Sequence, residues 1–504
     1  MSYLQLLGLV APETIVVITA LVVLGLDLLI LREQPLRHRF WMGAAFAAFG
    51  CVLAAAWLLF INSPTHPAGE VSGALPLLRG MFVDDGLVRL VKVALLGLTV
   101  FTIAISMESS FTGHVGEYLA LILLATVGMM FLVSAEDILM IFISLELTSL
   151  SLYILTAFNK RNVKSAEAAL KYFLFGGMSA AFTLFGLSLV YGLSGSTGLR
   201  EIAAKLEQPA LDPLLVAAIV MTVIGFGFKV AAVPFHLWAP DAYQGAPTPS
   251  AAFIASGSKV ASFFVFAKVM MLGFAHAGGS GSWHAYAPGW LPVLAVVAVA
   301  SMLLGNLAAI AQSNVKRLLA YSAIAHGGYA LLGILANGPS GVTSLVYYVV
   351  TYGLTVLGAF GVVGLVEERA GEARISDFAG LGRREPLLAF CMMIFMLSLA
   401  GIPPLAGFFG KFYVFTAAVG GAKDLGLLWL VIFAIAMSAV SLYYYLQVLK
   451  QIYVVPVSAE SGSLGAPISS RIVLAVIAFG VVALGCAPDF LVGRLLAAIK
   501  LAAL

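Results

Sequence analysis

The stretch P-L-L-V-A-A-I-V-M-T-V-I-G-F-G-F-K-V-A-A-V-P-F-H, Pro213 to His236, decides how the chain is read. Apolar residues run through it almost without interruption, and a lipid-crossing helix takes about 20 of them. Lys229 stands inside that run. Five residues later Pro234 removes the amide that would bond the carbonyl of Val230. An ionisable group in a membrane helix is expensive and by default marks an ion or proton pathway. Glu146, Lys259 and Lys411 also lie near the middle of long apolar stretches.

The remaining sequence fits that solvent. The chain has 504 residues, 62% hydrophobic and 10% charged, with a mean hydropathy of +1.05. A soluble domain cannot hide so much apolar surface. The apolar runs are continuous and do not alternate, which excludes a closed barrel. A net charge of +3 implies no nucleic-acid partner. Cys51, Cys391 and Cys486 sit far apart in apolar runs and read as small core residues. The first run lacks a basic leader and is expected to be a retained helix.

Apolar runs between polar or Pro/Gly breaks predict an all-α fold of about fourteen transmembrane helices. Their approximate spans are 7–31, 39–60, 87–107, 117–134, 137–158, 167–192, 213–235, 248–275, 290–311, 318–336, 341–366, 386–420, 425–453 and 470–496. Fourteen Lys and Arg fall in the odd-numbered loops. Six fall in the even loops and tails: Arg79, Arg200, Lys205, Lys423, Arg494 and Lys500. The imbalance predicts cytoplasmic odd loops and both termini on the opposite side.

An internal repeat is expected. The segment around Gly128 with Glu136-Asp137 resembles that around Gly305 with Ser313-Asn314, 177 residues on. Lys229 and Lys411 are 182 apart. Helices four to eight would recur as nine to thirteen, inverted because five is odd. The divisions are 1–116, 117–275, 290–453 and 454–504. Helices seven and twelve are predicted to be broken, at Pro234 and at Pro403-Pro404. The second break frees the carbonyls of Leu399 and Ala400. Freed carbonyls survive in a bilayer only against protein or a wet cavity.

Each charge has a bland and a functional reading. Ser149 and Tyr153 follow Glu146 at i+3 and i+7 and give its helix one polar face. Glu146 and Lys229 are natural partners, a structural pair or a switch. Apart from the carboxylate, a desolvated ammonium is disfavoured and sheds its proton. Helical spacing puts His236 on the face of Lys229 at i+7. Lys259, among Ser256, Ser258 and Ser262, has no acidic neighbour in sequence. His326 shares a face with Ser322 and Tyr329, which suits a hydrated link. It also lies near Ala323, the expected counterpart of Glu146. Lys171 follows Glu167 at i+4, an ordinary helix pair, yet its apolar neighbours leave a proton role open. Lys268 is expected to snorkel to the interface, and Lys92, Asp27 and Asp85 to do likewise from span ends. Gly225-Phe226-Gly227 is not a nucleotide loop. No metal, haem or iron–sulfur ligand set is expected.

At these residues the chain resembles the antiporter-like subunits of respiratory complex I. Four stretches carry the resemblance: K-V-A-A-V-P-F-H-L-W-A-P-D-A-Y-Q-G-A-P-T-P (Lys229 to Pro249), S-A-E-A-A-L-K-Y-F-L-F-G (Ser165 to Gly176), V-K-R-L-L-A-Y-S-A-I-A-H-G-G-Y (Val315 to Tyr329) and G-I-P-P-L-A-G-F-F-G-K-F (Gly401 to Phe412). The Y-Q-G-A-P-T-P end is similar to subunit N, subunit 2 of mitochondria and chloroplasts. Lysine at 411, where subunit M-like chains carry glutamate, agrees with N. So does the absence of a lateral helix after the last span.

The resemblance implies proton-transfer roles for Glu146, Lys229, Lys259 and Lys411, and raises Lys171. His236, His326, Ser149 and Tyr153 are candidate relays. It implies a proton-translocating, multi-pass subunit of NADH:quinone oxidoreductase in the bacterial inner membrane, with periplasmic termini. It implies no cofactor in this chain, with NADH, flavin, iron–sulfur clusters and quinone on partner subunits. The expected partners are the neighbouring antiporter-like and small membrane subunits and the bilayer. The alternatives are a subunit of a multi-subunit cation/proton antiporter, a related membrane hydrogenase or formate lyase, and a structural scaffold.

Overall fold

The computed structural model describes residues 10–61, 80–206, 212–421, 425–456 and 465–502. Residues 7–9 of the first predicted span, Arg79, Lys423 and the side chain of Lys500 lie outside the described residues. Within them the chain is an all-α, polytopic membrane protein. Twelve helices are long and apolar enough to cross a bilayer, and two shorter apolar helices belong to broken spans.

In chain order, α1 (Ala11–Leu29), α2 (Leu36–Ala56) and α3 (Gly86–Ser106) precede α4 (Val115–Ser134), α5 (Ile138–Thr156) and α6 (Val163–Ser194). The seventh span is split into α7a (Pro213–Lys229) and α7b (Trp238–Gly245). The eighth is α8a (Thr248–Ala255) and α8b (Gly257–Lys268). Next come α9 (Trp290–Ile310), α10 (Val315–Leu335) and α11 (Gly338–Ala370). The twelfth span is α12a (Pro386–Ala400) and α12b (Ala406–Gly421), followed by α13 (Leu428–Tyr453), α14 (Ile468–Cys486) and α15 (Asp489–Ala502).

Two expected spans differ. The eighth is interrupted at Ser256 (φ −109°, ψ −82°), which leaves the helical region. The last predicted span divides at Ala487-Pro488, where proline ends α14 and a new helix begins.

The two halves cap their second helices and close their third in the same way. Asp137 caps α5 by accepting from the amides of Leu139 and Met140, and Asn314 caps α10 by accepting from that of Arg317. The amide of Ile138 bonds the Thr197 carbonyl and that of Leu199 bonds Glu136. Likewise Val315 bonds Ala373 and Ile375 bonds Ser313. Helices α6 and α11 have 32 and 33 residues. Each ends on a left-handed glycine, Gly195 and Gly371.

Helices α8 and α10 form the centre and are almost wholly buried. Peripheral helices turn apolar rings outward, such as Phe49, Phe185 and Phe479. Lysines and acids near span ends do not all reach for solvent. Lys92 and Glu13, both buried, pair at 2.7 Å between α3 and α1. Asp27 is buried against the Arg39 guanidinium (2.8 and 2.6 Å) and the Gly116 amide. Lys268 is buried and donates to the carbonyls of Val133 and Ala135, with Glu136 at 3.8 Å. These partners come from other helices and from the α4–α5 loop, so the expected snorkelling of Lys92, Asp27 and Lys268 does not occur. Asp85 instead caps α3 through the Val88 amide.

Breaking the Glu13–Lys92 pair on one side should strand a buried charge. Glu13→Ala is expected to lower stability by about 3–5 kcal/mol. Glu13→Ala with Lys92→Met should recover most of it. Thermal unfolding in detergent reads both; equal losses in the single and double variants would contradict this account.

Candidate functional site

The site begins where α7a stops. Pro234 cannot donate, the helix ends at Lys229, and Ala231 takes φ 55°. An alanine in that left-handed region is strained by about 1–2 kcal/mol. The turn is secured from outside: the amide of Val233 donates to Ser301 Oγ of α9 (2.9 Å), and the Trp238 indole to the Phe228 carbonyl (3.0 Å). The carbonyl of Val230, freed as the sequence predicts, accepts a hydrogen bond from Lys259 Nζ of α8b. Lys259 is 2% exposed. An added Cβ at Gly327, next to His326, would lie 3.4 Å from the same oxygen.

The second break repeats the solution with a different donor. Gly401, at φ 87°, ends α12a. The freed carbonyls of Leu399 and Ala400 accept from Lys411 Nζ at 3.0 and 3.1 Å. The same ammonium donates to Ser438 Oγ of α13 (2.8 Å) and stands 5.1 Å from the Tyr329 ring centroid. The close return of α12b requires glycine at 407, where a Cβ would meet the Ser398 carbonyl at 1.9 Å.

Between the breaks lies a network centred on buried His326. Its Nδ1 is 2.7 Å from the Tyr348 hydroxyl and its Nε2 3.2 Å from that of Tyr445. Tyr445 meets Ser322 at 2.5 Å. The His326 ring lies edge-on to Tyr329, 5.7 Å between centroids. Tyr329 ties His326 to Lys411, and Gly327 abuts the Val230 oxygen that Lys259 holds, so His326 lies between the two lysines.

At the other end Lys229 Nζ donates to Ser149 Oγ (2.6 Å), with Glu146 3.8 Å away. Ser149 hands its own proton to the Leu145 carbonyl (2.5 Å). The Lys229 side chain is 8% exposed, but that of Glu146 is 27% exposed. Glu146 is therefore not buried within this chain: it shares a helical stripe with exposed Leu139, Ile143, Leu150 and Ile154. Tyr153 packs so close to α6 that a Cβ at Gly176 would be 1.9 Å from its hydroxyl. That hydroxyl makes no hydrogen bond among the described residues.

His236 and Lys171 do not join this row. The helix ends before His236, so i+7 spacing no longer places it beside Lys229. It is buried, with Nδ1 lacking a partner among the described residues. Lys171 pairs with Glu167 (2.7 Å) and with Asp241 of α7b (2.8 Å), its side chain 41% exposed. Asp241 also binds Arg317 of α10 at 2.6 Å. The Ser438, Tyr348 and Tyr445 partners were not singled out from sequence. Their only signal is polar residues within the apolar α11 and α13. Among the described residues no three His, Cys, Asp or Glu side chains converge on a metal-sized site.

Comparison with known proteins bears on what this arrangement is. Residues 135–438 match the family described as NADH:quinone oxidoreductase/Mrp antiporter, transmembrane. An NADH-quinone oxidoreductase subunit N 2 of Acidobacterium capsulatum is 52% identical over 97% of this chain and 98% of its own length. Subunit N of Rhodospirillum rubrum is 40% identical over 91% of each. This chain belongs to the subunit N family of NADH-quinone oxidoreductase.

Among solved structures, a chain of respiratory complex I from Thermus thermophilus with bound aureothin has a TM-score of 0.75. It is 31% identical, covering 96% of this chain and 99% of that one. A chain of the Mrp complex from Dietzia, 20% identical with a TM-score of 0.79 over 98% and 97%, shares the fold. For a member of the subunit N family, the two broken helices and their ammonium partners are the features that set the interior geometry.

The three-way contact at Asp241 also predicts a stability cost. Asp241→Ala should leave the Lys171 and Arg317 cations short of a partner and destabilise by about 1–3 kcal/mol. Thermal unfolding in detergent measures this; an unchanged melting temperature would refute it.

Proposed function

We propose that the chain is a proton-translocating membrane subunit of NADH:quinone oxidoreductase, moving H⁺ along its row of interior titratable groups. One observation carries the reading. Lysines 259 and 411 are buried beside broken helices, Lys229 ends one with its side chain 8% exposed, and His326 with its tyrosines lies between the second and third. Interior charges in a membrane protein are kept for work, and a broken helix beside each supplies an element with two available arrangements.

Protons load Lys259 or Lys229 from the cytoplasmic side. When Glu146 and Lys229 stand together the ammonium is favoured; when they part, desolvation disfavours it and the proton moves on. Ser149 accepts a hydrogen bond from Lys229 and helps hold the ammonium beside Glu146. His326 passes the proton between Lys259 and Lys411 through the hydroxyls it contacts, and exit is on the periplasmic side. Lys171, 41% exposed and doubly paired, has a positioning role beside this path.

The identities of 40–52% with proteins named NADH-quinone oxidoreductase subunit N favour this reading over a cation/proton antiporter. The 20% likeness to the Mrp chain concerns the fold alone. The chain is read as a multi-pass bacterial inner-membrane protein with both termini periplasmic and two inverted repeats, 117–275 and 290–453. NADH, flavin, iron–sulfur clusters and quinone are assigned to partner subunits. The partners are the other membrane subunits, an antiporter-like neighbour among them. The exposed edge of Glu146 suits such contact.

Lys229→Ala and Glu146→Ala are each expected to cut proton pumping per NADH oxidised to a small fraction of wild type. Dye-monitored acidification of inverted vesicles holding fully assembled complex reads this directly. Wild-type pumping by both variants would remove the switch.

A further inference from the structure

Away from the midplane row, one cleft of about 340 Å³ opens on a single face of the molecule. Glu108, Ser110, Gln244, Thr248, Lys316 and Glu367 line it. These residues sit at the ends of helices that meet the odd-numbered loops, the side where Lys and Arg concentrate. Exposed Ser110 marks the mouth, and Lys316, 2% exposed, lies at the floor.

Lys316 Nζ donates to the Ala246 carbonyl (3.0 Å), to Thr248 Oγ1 (3.2 Å) and to both oxygens of Glu367 (3.1 and 3.2 Å). Thr248 Oγ1 also donates to Glu367. The Glu367 side chain is 29% exposed, so one carboxylate touches both the cleft and a buried ammonium.

Inward of this pair two tyrosines continue toward His326. Tyr243 is fully buried and Tyr352 is 7% exposed, and neither hydroxyl has a hydrogen-bond partner among the described residues. Tyr243 packs on Phe360, which itself lines the cleft, with ring centroids 5.9 Å apart. Tyr352 lies about two turns before Phe360 on α11 and 4.8 Å, centroid to centroid, from His326. A buried hydroxyl left without a partner costs about 1–3 kcal/mol. Water entering from the cleft relieves that cost and links the groups. A lone staple between α10 and α11 would need only Lys316 and Glu367; it gives no reason for two partnerless hydroxyls leading inward from it.

We propose that this cleft is the proton-uptake mouth of the chain, with Glu367–Lys316 as its gate and Tyr243 and Tyr352 as the link to His326. The inference rests on the proton-translocation reading above and deepens it. The Glu367 carboxylate takes a proton from water in the cleft. Neutral Glu367 releases its hold on Lys316 and passes the proton inward. Each tyrosine oxygen accepts one proton as its own leaves on the far side, so no charge is stranded, and the proton reaches His326 through the Tyr348 or Tyr445 hydroxyl that already contacts its ring nitrogens.

The test uses the assembled complex in inverted vesicles, with an ionophore present so that back-pressure plays no part. NADH:quinone turnover of Glu367→Gln and of Tyr243→Phe/Tyr352→Phe should fall by about tenfold. Glu367→Asp should stay near wild type. Formate, a small weak acid that ferries protons into a cleft, should restore both slow variants but not Lys259→Met. Wild-type turnover in the slow variants, alongside an impaired Lys259→Met, would overturn the uptake mouth and leave the proton-translocation reading standing. Loss that formate does not relieve in normally assembled complex would reduce the pair to a structural staple. Normal turnover and normal pumping in Lys259→Met as well would sink the underlying reading.

Discussion

A peptide carbonyl that loses its helical donor inside a bilayer has no water to turn to, and leaving it bare costs several kcal/mol. Pro234 creates such an oxygen at Val230; Pro403 and Pro404 create two more at Leu399 and Ala400. In both places an ammonium answers: Lys259 at the first, Lys411 at the second. The bond is charge-assisted and so stronger than a neutral one. The shape of each break and the protonation of its lysine are thereby parts of one equilibrium. The remaining interior polar groups, Ser438, His326 and its four tyrosine neighbours, are arranged around these two points.

The oxygens were legible in the sequence and their partners were not. Proline's missing amide is a local fact, so Val230, Leu399 and Ala400 follow from spacing alone. That Lys259 reaches Val230 from the next helix depends on how α8 packs, which no period reveals. The same limit explains Lys92 and Lys268. Hydropathy along the chain measures depth in the membrane, and both lie near span ends. Sideways pairing with Glu13 and with the carbonyls of Val133 and Ala135 is invisible to it. His236 failed for another reason: helical spacing was carried past the residue at which the helix ends. For Glu146 the period put Ser149, which Lys229 contacts, on the same polar face, but spacing along one helix cannot tell an inward stripe from one turned outward.

The halves are alike in frame and unlike in detail. Both cap the second helix with a short side chain, Asp137 or Asn314, and both close the third on a left-handed glycine. Nevertheless Lys229 precedes its break while Lys411 follows its own. Similar scaffolds therefore present their charges on opposite sides of the interruption.

That difference has a mechanical consequence. The first interruption is clasped by a foreign helix, so any flexing of α7 must drag the cation of α8 with it. The second is clasped mainly by its own continuation, and α12 can hinge while carrying its cation along, restrained by one hydroxyl of α13. The former behaves as a lever between two bodies, the latter as a latch folded upon itself, and a push delivered to each would travel outward by different routes.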